Sequence, residues 1–170
     1  MIPGVERTRL EPHPDERGAL RELWRSSKQP LTFRQALVTT SKVGALRGMH
    51  YHLRQTDLCY VSRGRVYLAL VDLRADPVKD EFRLDESESV LIPAGVAHGY
   101  VAEVDATMCY LLTEEIDGSD EFGFRWDDPK AGIHWPIAAP ILSTRDRHAA
   151  DFASALAAVR AARASMGVRA

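Results

Sequence analysis

Between Thr32 and Thr113 the chain consists of short runs of β-branched and aromatic residues, each ended by Gly, Pro or Asp. Such runs predict β-strands, and strands that follow one another without intervening helices pair in an antiparallel barrel or sandwich. The segment from Arg65 to Leu73 alternates over part of its length, as does a strand with one face in a barrel interior. The six strands predicted in this way are 33–40, 58–61, 65–73, 89–92, 98–102 and 107–112. The sequence therefore predicts an all-β fold.

A helical pattern is confined to the C-terminus. Asp151 can cap an Ala-rich segment in which Phe152, Leu156 and Val159 share one stripe, and this predicts a helix over 148–167. The whole chain has 170 residues and 45% hydrophobic content, which suffices for one core without disulfides. We therefore expect a single domain that ends in a docked helix.

Charge and cysteine content exclude several classes of protein. The chain has 22 Lys and Arg against 24 Asp and Glu, so no basic field exists to attract nucleic acid. No apolar stretch approaches the ~20 residues that span a bilayer. Cys59 and Cys109 lie in apolar runs without CxxC spacing, which is typical of reduced thiols. We expect a cytoplasmic protein that binds neither nucleic acid nor membrane and holds any anionic ligand with local arginines.

Histidines cluster in two motifs. His50 and His52 are two apart, so on a strand both side chains point to the same face. Asp57 follows at the distance expected of a carboxylate ligand, and the segment 93–98, ProAlaGlyValAlaHis, ends in His98. This order resembles the two metal motifs of the cupin superfamily. Three imidazoles and one carboxylate could hold divalent iron, manganese, nickel or zinc.

A longer series of motifs resembles one family within the cupins. The segments that carry it, in order, are 15–18, 44–51, 71–74, 92–100, 126–129, 133–136 and 142–146. Together they resemble the dTDP-4-dehydrorhamnose 3,5-epimerase family. The resemblance implies a cupin barrel, that is, a double-stranded β-helix or jelly roll, assembled as a homodimer. It also implies an isomerase that needs no cofactor and acts on a dTDP-linked 4-keto-6-deoxyhexose in deoxysugar biosynthesis.

The same resemblance implies roles for individual residues. His50 is the expected base, Asp146 the carboxylate that orients its imidazole, and Tyr110 the proton donor. This division is chemically sound because His titrates near pH 6.5 and a paired carboxylate fixes its tautomer. Six further residues are implied to hold the substrate. They are Arg17 and Arg47 for the diphosphate, Glu22 and Gln35 for the nucleoside, and His98 and Asp72 for the sugar.

The sequence departs from the family pattern at His52, at Asp57 and near Leu37, where the family usually has Asn. The family commonly has Gln at the position of His52 and Lys at that of Asp57, where a cation would stabilise an enolate. Either another group such as Arg54 replaces the lysine, or the reaction has changed. A metal-dependent cupin isomerase or oxygenase using His50, His52, Asp57 and His98 therefore stays open. A non-catalytic cupin that binds a sugar nucleotide is the third hypothesis.

Overall fold

Two β-sheets form the body of the protein. The computed structural model describes residues 2–165, which form twelve strands and two helices. The strands are β1 Glu6–Arg9, β2 His13–Asp15, β3 Gly18–Leu20, β4 Gln35–Ser41, β5 Leu46–Tyr51, β6 Asp57–Arg63, β7 Val66–Asp72, β8 Lys79–Leu84, β9 Glu88–Ile92, β10 Val96–Ala102, β11 Ala106–Leu112 and β12 Phe122–Gly123. The helices are α1 Thr144–Arg147 and α2 Phe152–Ser165. None of the helices within 2–165 is long and apolar enough to cross a membrane.

The strand order is that of a jelly-roll barrel. One sheet has the order β1-β9-β6-β11-β4 and the other β12-β5-β10-β7-β8, while β2 and β3 form a separate hairpin. All strand pairs are antiparallel, and the main core lies between the two sheets. The turn at 62–64, between β6 and β7, joins the two sheets. Gly64 has φ +87° there, and a Cβ would lie 2.5 Å from the carbonyl oxygen of Asp105, so only glycine fits. The predicted all-β cupin fold is confirmed.

Strand β7 is apolar on both faces because it is covered on both faces. Leu68 and Leu70 point into the barrel core, whereas Ala69 and Val71 belong to a second cluster on the outside of the sheet. Helix α2 packs there. A continuous apolar run is the pattern expected of a strand buried on two sides, which explains why β7 alternates only in part.

The C-terminal helix begins later than predicted. Residues 144–147 form the separate helix α1, and α2 begins at Phe152. The Asp151 carboxylate accepts a hydrogen bond from the backbone N–H of Ser154 at 2.7 Å, which is the predicted cap. Phe152 and Val159 are buried against the sheet as expected. The predicted end near Gly167 lies outside the described residues.

Candidate active site

The barrel interior opens into a pocket of about 180 Å³ between the two sheets. Strands β5 and β10 form one wall and β6 and β11 the other. The polar side chains that line the pocket are Thr39, Arg47, His50, His52, Gln55, Asp57, His98, Tyr100, Tyr110, Glu121 and Arg145. All three histidines singled out in the sequence therefore reach one cavity. Glu121 and Gln55 were not predicted, because neither belongs to a recognisable motif.

His50 is held by a buried carboxylate. Its Nε2 lies 2.7 Å from Oδ1 of Asp146, whose side chain is 5% exposed. Asp146 sits in the first turn of α1, where Ser143 caps the helix by accepting a hydrogen bond from the Asp146 backbone N–H at 3.0 Å. Burial alone would raise the pKa of Asp146, but hydrogen bonds from His50, Ser143 and Gly48 hold it below its ordinary value. The carboxylate is therefore ionised at neutral pH.

The ionised carboxylate fixes the His50 tautomer. A carboxylate accepts hydrogen bonds but does not donate them, so Nε2 carries the proton and Nδ1 has the lone pair. Within residues 2–165 no group makes a hydrogen bond to Nδ1. The imidazole thus presents a basic nitrogen in a pocket, oriented by its partner, which is the arrangement that general-base catalysis needs.

Tyr110 lies on the other sheet. It belongs to β11, whereas His50 belongs to β5, and both side chains line the same pocket. Burial raises the pKa of the Tyr110 phenol well above its ordinary value, and the neighbouring Tyr100 adds to this effect. The Tyr100 hydroxyl oxygen in turn is 2.9 Å from that of Ser41. Tyr110 therefore retains its proton at neutral pH and can donate it.

A second cluster consists of His52, Asp57 and His98. Oδ2 of Asp57 lies 3.7 Å from Nε2 of His52 and 3.4 Å from Nε2 of His98. Burial raises the pKa of the Asp57 carboxyl, and burial together with the neighbouring His52 and His50 lowers that of His98 to about 3. Asp57 points inward and is 3% exposed. The predicted four-residue metal site is wrong in one respect: His50 pairs with Asp146 and stands outside this cluster.

The loop between His52 and Asp57 is held in place by Asp120, which the sequence did not reveal. The buried Asp120 carboxylate accepts hydrogen bonds from the backbone N–H groups of Leu53, Arg54 and Gln55 at 2.7 to 3.1 Å. Its backbone carbonyl oxygen is 2.6 Å from Nδ1 of His52. The Arg54 guanidinium points away from the pocket and donates to Ser119 at 2.8 Å. Arg54 therefore does not take the place of the missing lysine.

The residues implied to hold substrate divide into two groups. Arg47 and His98 line the pocket, and Oε1 of Gln35 accepts a hydrogen bond from the backbone of Ile116, another lining residue. Arg145, at the same pocket, adds a second cation.

The other three lie elsewhere in the chain. Arg17 is exposed on the β2–β3 hairpin, and its guanidinium binds Asp15. Glu22 lines a separate cavity of about 410 Å³ next to β1. Asp72 is buried and forms a bidentate ion pair with Arg74, both bonds being 2.8 Å. In a single chain these three side chains do not meet His50.

The jelly-roll barrel thus holds in one pocket a histidine oriented by a carboxylate and a protonated tyrosine, which are the groups that acid–base isomerisation needs. Residues 1–154 match the family described as dTDP-4-dehydrorhamnose 3,5-epimerase. The chain belongs to this family.

Individual relatives agree with this result. The chain is 36% identical over 146 residues to the spore coat polysaccharide biosynthesis protein SpsL of Bacillus subtilis, covering 79% of this chain and 97% of that one. It is 32% identical to a dTDP-4-dehydrorhamnose 3-epimerase of Streptomyces niveus, covering 91% and 82%. Among solved structures, NovW, a 4-keto-6-deoxy sugar epimerase of Streptomyces spheroides, superposes with a TM-score of 0.85 at 31% identity, covering 94% and 88%.

Proposed function

We propose that this protein is a cytoplasmic epimerase of a dTDP-linked 4-keto-6-deoxyhexose and that it inverts C3, C5 or both through an enolate. The observation that carries the proposal is the 2.7 Å contact between His50 and Asp146 in a pocket whose opposite sheet bears Tyr110. The chain's relatives include both 3,5-epimerases and 3-epimerases. Family membership therefore supports the reaction type and leaves the number of inverted carbons to experiment.

The chemistry follows from the ketone. It acidifies the C–H bonds on both neighbouring carbons, so Nδ1 of His50 removes a proton and the electron pair moves onto the ketone oxygen, forming an enolate. The Tyr110 hydroxyl returns a proton to the opposite face of the carbon as the carbonyl re-forms. The proton on His50 then passes through solvent to the Tyr110 phenolate. No electrons are gained or lost overall, so the reaction needs no redox cofactor.

The size of the pocket limits which part of the substrate it holds. Sites for drug-sized ligands measure about 300–1,000 Å³, more than the volume found here. The pocket suits the hexose ring, and the nucleotide lies outside it. Arg47 and Arg145 stand at the same pocket and are suited to diphosphate oxygens because guanidinium groups form paired hydrogen bonds with them.

We further propose a homodimer. Strand β4 is an edge strand of its sheet and exposes Val38 to 70%, and such an edge can pair with a second copy. Arg17 and Glu22 lie away from the pocket of their own chain. In a dimer, Arg17 and Glu22 of one copy can contact the nucleotide that is bound to the second copy.

The test is deuterium uptake. Incubation with dTDP-4-keto-6-deoxyglucose in heavy water should place deuterium at C3, C5 or both, as read by NMR, and the labelled positions identify the inverted carbons. His50→Asn should abolish uptake while dTDP still binds. His134→Asn is the control, because that histidine is exposed and contacts Lys79 and Glu81. Undiminished exchange in His50→Asn would leave the metal-dependent hypothesis ahead, whereas absence of exchange in the wild-type protein would favour the binding-only hypothesis.

A further inference from the structure

The cluster of His52, Asp57 and His98 lies beside the proposed acid–base groups and takes no part in the proton transfers written above. Each side chain offers a ligand atom, and the three atoms lie within 4.8 Å of one another. We propose that this cluster binds one divalent first-row transition-metal ion.

Hydrogen bonds at the far side of each ring fix the tautomers. Nδ1 of His52 is 2.6 Å from the carbonyl oxygen of Asp120, and Nδ1 of His98 is 3.3 Å from that of Val96. A carbonyl oxygen only accepts, so in each neutral ring Nδ1 carries the hydrogen and Nε2 carries a lone pair. Both Nε2 atoms lie within 3.7 Å of Oδ2 of Asp57. Three electron-rich atoms therefore converge in a buried place, and a cation among them relieves their repulsion.

The distances suit a metal ion better than direct hydrogen bonds. An N–H···O bond is about 2.7–3.2 Å long, whereas the two Nε2 atoms are 3.4 and 3.7 Å from Asp57 Oδ2. Ligand bonds of about 2.0–2.2 Å at tetrahedral angles separate ligand atoms by about 3.4 Å. The spacing between each imidazole and the carboxylate is thus close to that of two ligands on one ion, before any adjustment of the side chains.

The groups behind the ligands hold them in place. The Gln55 amide nitrogen donates to Oδ1 of Asp57 at 2.7 Å, which leaves Oδ2 for the ion. Glu121 places Oε1 3.4 Å from Nδ1 of His52, next to the Asp120 carbonyl. Acceptors of this kind on the outer nitrogen orient metal-binding histidines and increase their basicity.

The ligand set indicates the class of ion and its open positions. Two imidazoles and one carboxylate suit Zn²⁺, Fe²⁺, Mn²⁺, Co²⁺ or Ni²⁺ and leave at least one coordination position for water or substrate. All three residues line the pocket that also contains His50. The pocket therefore supplies both a route for the ion from solvent and access for a ligand oxygen.

A catalytic role for the ion rests on the proposed function. Proton removal by His50 places negative charge on the ketone oxygen, and the family resemblance implies a lysine at the position of Asp57. A divalent ion at this point supplies the positive charge as a Lewis acid. The Asp57 carboxylate, whose charge has the wrong sign to stabilise an enolate directly, is then a ligand of the ion.

Metal binding is tested on untagged protein without nucleotide, since both polyhistidine and diphosphate bind metals. Calorimetric titration with Zn²⁺ should give one equivalent per chain, and Co²⁺ should give absorption bands of a low-coordinate site. Asp57→Asn, which keeps the shape of the side chain, should abolish binding. Gln55→Leu should weaken binding by about 10–100-fold, as losses of outer partners do.

Two control variants separate this site from other histidines. His134→Asn and His50→Asn should bind Zn²⁺ like the wild type, since neither residue belongs to the cluster. Absence of stoichiometric binding, or binding that survives both Asp57→Asn and His98→Gln, would overturn the proposal. Circular dichroism establishes that each variant is folded.

The catalytic role is tested by deuterium exchange with and without a chelator. Exchange should fall after chelation and return when Zn²⁺ or Mn²⁺ is added. Bound metal with exchange that chelation does not change refutes the catalytic role. Bound metal with no exchange under any condition refutes the proposed function instead, so the two failures are distinguishable.

Discussion

Asp146→Asn tests the acid–base pair most directly because it changes the hydrogen bonds and the charge of the side chain while keeping its shape. The Asp146 carboxylate accepts from His50, from Ser143 and from the backbone of Gly48. An asparagine has one acceptor oxygen and an NH₂ group that only donates. When the oxygen serves the Gly48 N–H, the NH₂ group faces Nε2 of His50 and donates to it. The proton of the imidazole then moves to Nδ1, which ceases to be a base.

The size of the effect follows from the role of the base. General acid–base catalysis contributes about 10²–10⁴-fold, and a tautomer error in a comparable histidine–aspartate pair costs about 10⁴-fold. We expect deuterium exchange to fall by about 10²–10⁴-fold, which corresponds to about 2.7–5.5 kcal/mol of activation free energy. KM should change little, because Asp146 is behind His50 and does not line the pocket.

The assay combines kinetics with a direct view of the imidazole. Nitrogen-15 NMR should show a proton on Nε2 of His50 in the wild type and on Nδ1 in Asp146→Asn. Asp151→Asn is the matched control: it makes the same chemical change at the start of α2, where asparagine caps as well as aspartate. A folded Asp146→Asn protein that loses less than about tenfold in exchange would show that this pair is not the base unit.

Three further outcomes are expected. Tyr110→Phe should retain deuterium exchange but lose inversion, as measured by NMR of the product, because proton removal survives without the donor on the opposite face. Asp120→Ala should lower the free energy of unfolding by about 2–4 kcal/mol in urea, since three backbone N–H groups lose their acceptor, whereas Asp117→Ala should change it little. Acid should destabilise the metal-free protein through His98: its pKa falls to about 3 on folding, so between pH 6.5 and 3 the unfolded chain binds the extra proton. By pH 4.5 this costs about 3 kcal/mol, and His98→Gln should remove that part of the pH dependence.

The sequence predicted best those strands whose residues are mostly apolar and buried. β6, β9, β10 and β11 were found within a few residues of their predicted bounds because they carry compact apolar runs. β5 was not predicted, since Gly48 breaks its pattern. Yet a Cβ at Gly48 would come 2.5 Å from the Cα atom of Gly99, so close approach of β5 to β10 requires the glycine. The residue that hides the strand from pattern analysis is the one that brings His50 next to His98.

The functional site, too, was predicted only in part. The pairing of His50 with Asp146 follows from motifs 96 residues apart, and no local pattern could have predicted it without the family resemblance. The spacing of His50 and His52 correctly placed both in one pocket but not their partners. His52 lies just beyond the end of β5, in a loop whose position depends on Asp120, 68 residues away. Two histidines that a strand would place on the same face therefore contact different carboxylates. Asp146 orients His50, the proposed base, whereas Asp57 forms a cluster of ligand atoms with His52. That separation leaves the proposed acid–base pair of His50 and Asp146 independent of the carboxylate at position 57.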